Sequence, residues 1–133
     1  MEKYVSVAEM QAIEREASES GLSYQEMMEN AGTNLAFFVN NTYRNCDQRM
    51  VLALVGAGNN GGDALVALSK LQEMNWQTLA YVVKPRQAGD YQLQRYVENG
   101  GVVVYANQDK AQTNLAILVA QYRVLIDGIW GTG

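Results

Sequence analysis

The sequence has no histidine, one cysteine and one proline, and its most hydrophobic runs, Leu35 to Val39 and Met50 to Val55, are short. Without histidine, a Ser-His-Asp triad, a Cys-His dyad and a His-ligated zinc site cannot be built from this chain. Cys46 lies alone in the polar stretch Asn45-Cys46-Asp47-Gln48, so an internal disulfide is excluded and the thiol reads as a surface bystander. The apolar runs are far too short to span a bilayer, and Met1 to Ser6 carries an early acid and no apolar signal-peptide core. No membrane association is expected, and the protein is read as cytoplasmic or as the soluble mature form of an imported one. Positive charge is also scarce. Ten Lys and Arg against 14 Asp and Glu leave a net charge of −4, which argues against a protein that neutralises a nucleic-acid backbone.

What is present is apolar. At 48% hydrophobic residues the chain is too rich for disorder, and 133 residues point to a single domain. Ser6 with Glu9, and Ser23 with Glu26, are capping-box patterns. Each opens a predicted helix: one with Met10, Ile13 and Ala17 on a face and ending at Gly21, the other with Tyr24, Met28, Ala31, Leu35, Phe38 and Thr42 as a core-facing stripe. From Met50 the period changes. Met50 to Val55 reads as a strand buried on both faces, and Thr78 to Val83, closed by Pro85, Val102 to Tyr105 and Val124 to Ile126 as three more. Between them, Ala64, Ala67, Leu68 and Leu71, then Leu93, Tyr96 and Val97, then Ala111, Leu115, Leu118 and Tyr122, mark three helices. This alternation predicts an α/β fold: a three-layer, Rossmann-like parallel sheet with right-handed crossovers, preceded by two N-terminal helices. Counted from Met50, the predicted strand order is 3-2-1-4.

Ligands of such sheets bind outside the carboxyl ends of the strands where the order reverses. Under that order the loop Gly56-Ala57-Gly58-Asn59-Asn60-Gly61-Gly62-Asp63 faces the loop Asp127-Gly128-Ile129-Trp130-Gly131-Thr132-Gly133. Gly56, Gly58 and Gly61 satisfy G-x-G-x-x-G, but the acid expected after the second strand is replaced by Val82-Val83-Lys84-Pro85-Arg86. Lys84 or Arg86 could meet a phosphate, although solvated surface bases are the plainer explanation. No Lys-Ser/Thr pair follows the glycines, so a Walker loop is excluded. The glycines would let backbone N–H groups approach an anion at a helix N-terminus. The Asn carbonyls and the Asp127 carboxylate would suit a cation held by oxygen alone. Against this stands a plain turn, with Asp63 as an N-terminal helix charge.

Met28-Glu29-Asn30-Ala31-Gly32, Gly56 to Ala64 and Leu125 to Gly133, in that order, resemble the YjeF N-terminal family of NAD(P)H-hydrate epimerases. The resemblance implies a Rossmann-like fold, commonly homodimeric, that interconverts the R and S forms of NADHX and NADPHX, nicotinamide cofactors damaged by hydration. The S form then passes to an ADP- or ATP-dependent dehydratase, fused or separate. By position, Asn59, Asn60, Gly61, Gly62 and Asp63 would contact the hydrated nucleotide, and Asn60 and Asp127 would be ligands of a potassium ion. Gly131, Thr132 and Gly133 would begin the phosphate-holding loop. Ala64 departs from the family's usual glycine. The stretch ends inside a motif, before the acid used by family mechanisms, so the expectation is the first part of an epimerase domain with no catalytic residue assigned. The alternative is a non-catalytic nucleotide-binding or protein-interaction module of the same fold. A generic dinucleotide-binding oxidoreductase fragment fits less well, because the acid after the second strand is missing.

Overall fold

A computed structural model describes residues 4–7 and 23–129 of the chain. Helix α1, Tyr24–Thr42, starts where the capping pattern places it: the Ser23 hydroxyl accepts from the Glu26 N–H at 3.1 Å and donates to its carboxylate at 3.0 Å. Such a cap is worth about 1 kcal/mol. The helix presents Leu35, Ala36 and Val39 to the core. After it come β2 (Met50–Val55), α2 (Asn59–Glu73), β3 (Gln77–Val82), α3 (Tyr91–Glu98), β4 (Val102–Tyr105), α4 (Thr113–Gln121) and β5 (Val124–Gly128).

All pairings are parallel, and β4-β3-β2-β5 is the expected order 3-2-1-4. A fifth strand, β1 (Tyr4–Ser6), adds to the far side of β5 with Ser6 opposite Asp127. The capping pattern at Ser6 predicts a helix beginning there, and Val7, directly after it, is helical. What no local signal announces is the strand before it, for which β5 offers Tyr4 to Ser6 a parallel partner. The remainder of that predicted helix, to Gly21, lies outside the described residues.

Strand residues alternate between two cores, as the two-residue period of a strand requires. Val51, Ala53 and Val55, with Ala80, Val82, Val124 and Ile126, join the buried residues of α1, α2 and α3. Leu52, Leu79 and Tyr81 meet Leu115, Leu118 and Val119 of α4 on the other face. The result is the expected three-layer arrangement, with α1 packed on α2. Gly32 marks their closest approach: a Cβ there would lie 2.4 Å from the Val66 Cβ. No helix among the described residues is long and apolar enough to cross a membrane.

Candidate functional site at the switch point

Strand β2 leads outward through α2 to β3 on one side, and its neighbour on the other side, β5, receives the chain from α4, so the strand order reverses between them. There the two loops meet, as the strand order predicts. The Gly56 N–H donates to the Gly128 carbonyl at 3.2 Å, and a Cβ on Gly56 would lie 3.1 Å from that oxygen. Gly128 is equally confined, its would-be Cβ standing 2.7 Å from the Leu54 carbonyl and 3.0 Å from the Asn60 carbonyl. Ala64, which replaces the family's usual glycine, fits this junction fully buried, with its Cβ against Gly128.

Asn59 to Asp63 are neither an open loop nor a turn, which corrects the sequence reading: they form the first turn and more of α2. Two asparagines and two glycines are poor helix formers, each glycine costing about 1 kcal/mol relative to alanine. Tertiary packing overrides that preference. A Cβ on Gly61 would collide with the Gly56 carbonyl oxygen at 2.1 Å, and one on Gly62 would lie 2.6 Å from the Met28 sulfur. The first family-like motif, Met28 to Gly32, is therefore a packing motif that seats α1 on the start of α2. Its Glu29 holds Arg95 of α3 through two hydrogen bonds of 3.2 and 3.1 Å.

The three polar side chains singled out in the sequence are all buried: Asn60 at 4%, Asp63 at 2% and Asp127 at 3% exposure. Asp127 Oδ1 accepts from the Ile129 N–H at 2.9 Å, which fixes the carboxylate at the end of β5. Gly58 serves as N-cap of α2 and supplies no side-chain acceptor, and the first turn holds no acid. The helix therefore begins with its amides and positive dipole end uncovered by any local side chain. Gly131, Thr132 and Gly133 lie outside the described residues.

Two clefts flank the glycine loop. One, of about 200 Å³, is lined by Gly56 to Asn60 on one side and by Val83, Lys84, Gly128 and Ile129 on the other. The second, of about 510 Å³, opens toward α1 and α3 and includes Tyr24, Arg86, Asp90 and Tyr91. Burial and the Asp63 carboxylate push the Tyr24 hydroxyl above its ordinary pKa, against the opposing effect of Arg86.

Arg86 is not the solvated base that the sequence suggests. Only 6% of its side chain is exposed. Its Nη1 donates to the Gly56 and Gly58 carbonyls at 2.8 and 3.0 Å, and its Nη2 donates to Asp90 Oδ1 at 3.0 Å. Burial alone would raise the Asp90 pKa, but the Arg86 hydrogen bond and the Leu93 N–H outweigh it and hold the carboxyl below its usual range. The legible signal was the i,i+4 spacing of Arg86 and Asp90, with Asp90 as N-cap of α3. Lys84 is exposed, and it lines the smaller cleft.

Residues 24–133 match the family model described as YjeF-related protein N-terminus. The chain belongs to that family. Among curated relatives, an NAD(P)H-hydrate epimerase of Aedes aegypti is 30% identical over 97% of this chain and 56% of its own length. A bifunctional NAD(P)H-hydrate repair enzyme Nnr of Thermofilum pendens is also 30% identical, over 98% of this chain and 25% of its own length. The crystal structure of yeast YNL200c superposes with a TM-score of 0.68 at 22% identity, covering 97% of this chain and 57% of that one, and shows the same fold. The chain thus spans about half the length of the epimerase relative and a quarter of the bifunctional one.

Proposed function

We propose that the chain carries the nucleotide-binding half of an NAD(P)H-hydrate epimerase, which interconverts the R and S forms of NADHX and NADPHX and hands the S form to a dehydratase. The observation that carries this reading is the meeting of Gly56 to Asp63 with Asp127 to Ile129 at the switch point, in a chain similar to proteins of that name. The uncapped N-terminus of α2, with Lys84 across the cleft, receives a phosphate of the nucleotide. Asn59 and Asn60 line its path, with Gly61, Gly62 and Asp63 buried behind them at the helix start, and the resemblance assigns Gly131, Thr132 and Gly133 to the same phosphate loop.

Asn60 and Asp127 fit a potassium ion by the chemistry of their donors, a buried amide oxygen and a buried carboxylate. No group of three or more His, Cys, Asp or Glu is gathered among the described residues, as a carboxylate-rich divalent site would require. The ion would supply positive charge beside the phosphates. Epimerisation at the hydrated ring carbon needs an acid or base for loss and return of the hydroxyl or ring proton. The roles assigned to Asp63 and Asp127 are in binding and coordination, and proton transfer falls to none of the residues described.

The test supplies the full-length protein with a mixed R and S pool of NADHX and an S-specific dehydratase. Consumption of the whole pool at a rate set by the added protein is expected. Exhaustion of the S half alone would overturn the epimerase reading, and tight nucleotide binding beside it would leave a non-catalytic nucleotide-binding module.

A further inference from the structure

Arg86 lies behind the glycine loop rather than in the smaller cleft. A single guanidinium nitrogen, Nη1, donates to both the Gly56 and Gly58 carbonyls, at 2.8 and 3.0 Å, while Nη2 donates to Asp90 Oδ1 at 3.0 Å and Nε lies in ion-pair contact with Asp90 Oδ2 at 3.0 Å. In a trans peptide the C=O of one residue and the N–H of the next point in opposite directions. No peptide bond among the described residues is cis. The Gly56 carbonyl held by Arg86, and the Gly58 carbonyl held by Arg86 and by the Gly62 N–H at 3.3 Å, therefore turn the Ala57 and Asn59 N–H groups to the opposite side of the loop. Ala57, Gly58 and Asn59 line both clefts, whereas Arg86 lines only the wider one, so the smaller cleft is the one where a ligand meets these residues clear of the guanidinium.

We infer that Arg86 is a positioning residue for phosphate binding: its guanidinium sets the direction of the Ala57 and Asn59 amides and does not itself touch the nucleotide. Two further features support the assignment. A Cβ on Gly61 would stand 2.7 Å from Nη1, so the helix start is shaped around the guanidinium as well as around the Gly56 carbonyl. Asp90 is held in turn by the Leu93 N–H at 3.0 Å, which ties the strut to the start of α3. A lysine in this place could not span two carbonyls and keep a planar contact with Asp90, because an ammonium is a point donor on a flexible stem.

The ligand in this inference rests on the proposed function, whereas the direction of the amides does not. The decisive comparison uses the full-length protein as wild type, Arg86→Ala, Arg86→Lys and Asp90→Asn, with KM and kcat for epimerisation. Arg86→Ala and Arg86→Lys should raise KM about tenfold or more with kcat changed far less, the pattern of lost binding common to ground and transition states. Added methylguanidinium should bring the KM of Arg86→Ala back toward wild type and leave Arg86→Lys unaffected. Asp90→Asn keeps an acceptor for the Leu93 N–H and serves if Arg86→Ala does not fold; it should raise KM by a smaller factor. Unchanged KM in folded variants, or a fall in kcat at constant KM, would overturn the inference. Should the wild type show no epimerisation at all, the functional reading fails, and the amide resonances of the ligand-free protein decide the inference alone. Arg86→Lys must then shift the Ala57 and Asn59 amides, and their constancy would reject the strut.

Discussion

A methyl group on Gly61 would have to share space with the Gly56 carbonyl oxygen, 2.1 Å away, and that oxygen is held by Arg86 and cannot yield. On Gly62 the obstacle is different: the Met28 sulfur and methyl at 2.6 and 2.7 Å are the free end of a flexible side chain. Both substitutions gain about 1 kcal/mol of helix propensity. For Gly61→Ala the backbone overlap should dominate, with a net loss of about 2 kcal/mol or more. Gly62→Ala should come out within about 1 kcal/mol of wild type, because methionine repacks readily. Urea denaturation of the two variants checks the contrast, and equal losses would show that the cramped backbone around Gly61 relaxes. The glycine pair in Asn-Asn-Gly-Gly-Asp was legible as a motif from the sequence. Its steric cause was not, since Arg86 and Met28 lie 25 and 34 residues from their glycines in the chain.

Helix α4 shows what an element needs beyond its apolar spacing. None of its residues is buried, and Leu115, Leu118 and Val119 only partly cover the second core. Its start follows two residues with positive φ, Ala111 and Gln112, and has no local side-chain cap. Asp109 replaces one: its carboxylate accepts from the Asn114 and Leu115 N–H groups at 2.9 and 3.0 Å and from the Tyr81 hydroxyl at 2.8 Å. Burial would raise the Asp109 pKa, but these hydrogen bonds prevail and hold it below the usual carboxylate range. Burial, and then the Asp109 hydrogen bond, push Tyr81 up to about 12. The signs follow from linkage. The stability that Asp109 contributes is present above the ordinary carboxylate pKa and is lost as pH falls through its depressed folded value. Tyr81 contributes stability up to its ordinary pKa of about 10, and that contribution is lost as pH rises toward about 12. Tyr81→Phe should cost about 1–3 kcal/mol and remove the tyrosine contribution to the alkaline limb. Hydrogen exchange of the α4 amides should quicken most, because the element opens locally when its anchor is weakened. Uniform quickening across the sheet would count against a local anchor. The spacing of Leu115, Leu118 and Tyr122 revealed the helix, but the Tyr81–Asp109 contact spans 28 residues and left no pattern to read. The edge strand β1 escaped for a related reason: three residues carry too little periodicity, and only pairing with β5 makes them a strand.

For the whole molecule, alternation of strand and helix was enough to place the switch point, because parallel strands with helical crossovers admit few orders. Placing Asn60 and Asp127 near the same crevice followed from that order, without knowledge of any side-chain geometry. Both are buried on elements that meet at Gly128, so a cation held between them and a nucleotide at the start of α2 would be thermodynamically coupled. A ligand that binds only the folded state adds stability by mass action, about 2.7 kcal/mol at one hundred times its Kd. In the full-length protein, NADPHX at that excess should therefore raise Tm by about 5–11 °C, at about 2–4 °C per kcal/mol for a domain of about 150–250 residues. If potassium belongs to the site, the rise should be larger in potassium chloride than in choline chloride of equal ionic strength, which leaves general screening unchanged. Asn60→Ala should abolish that difference while retaining part of the nucleotide response, since the α2 amides remain. Equal shifts in the two salts for the wild-type protein would remove potassium from the site and leave the phosphate contacts standing.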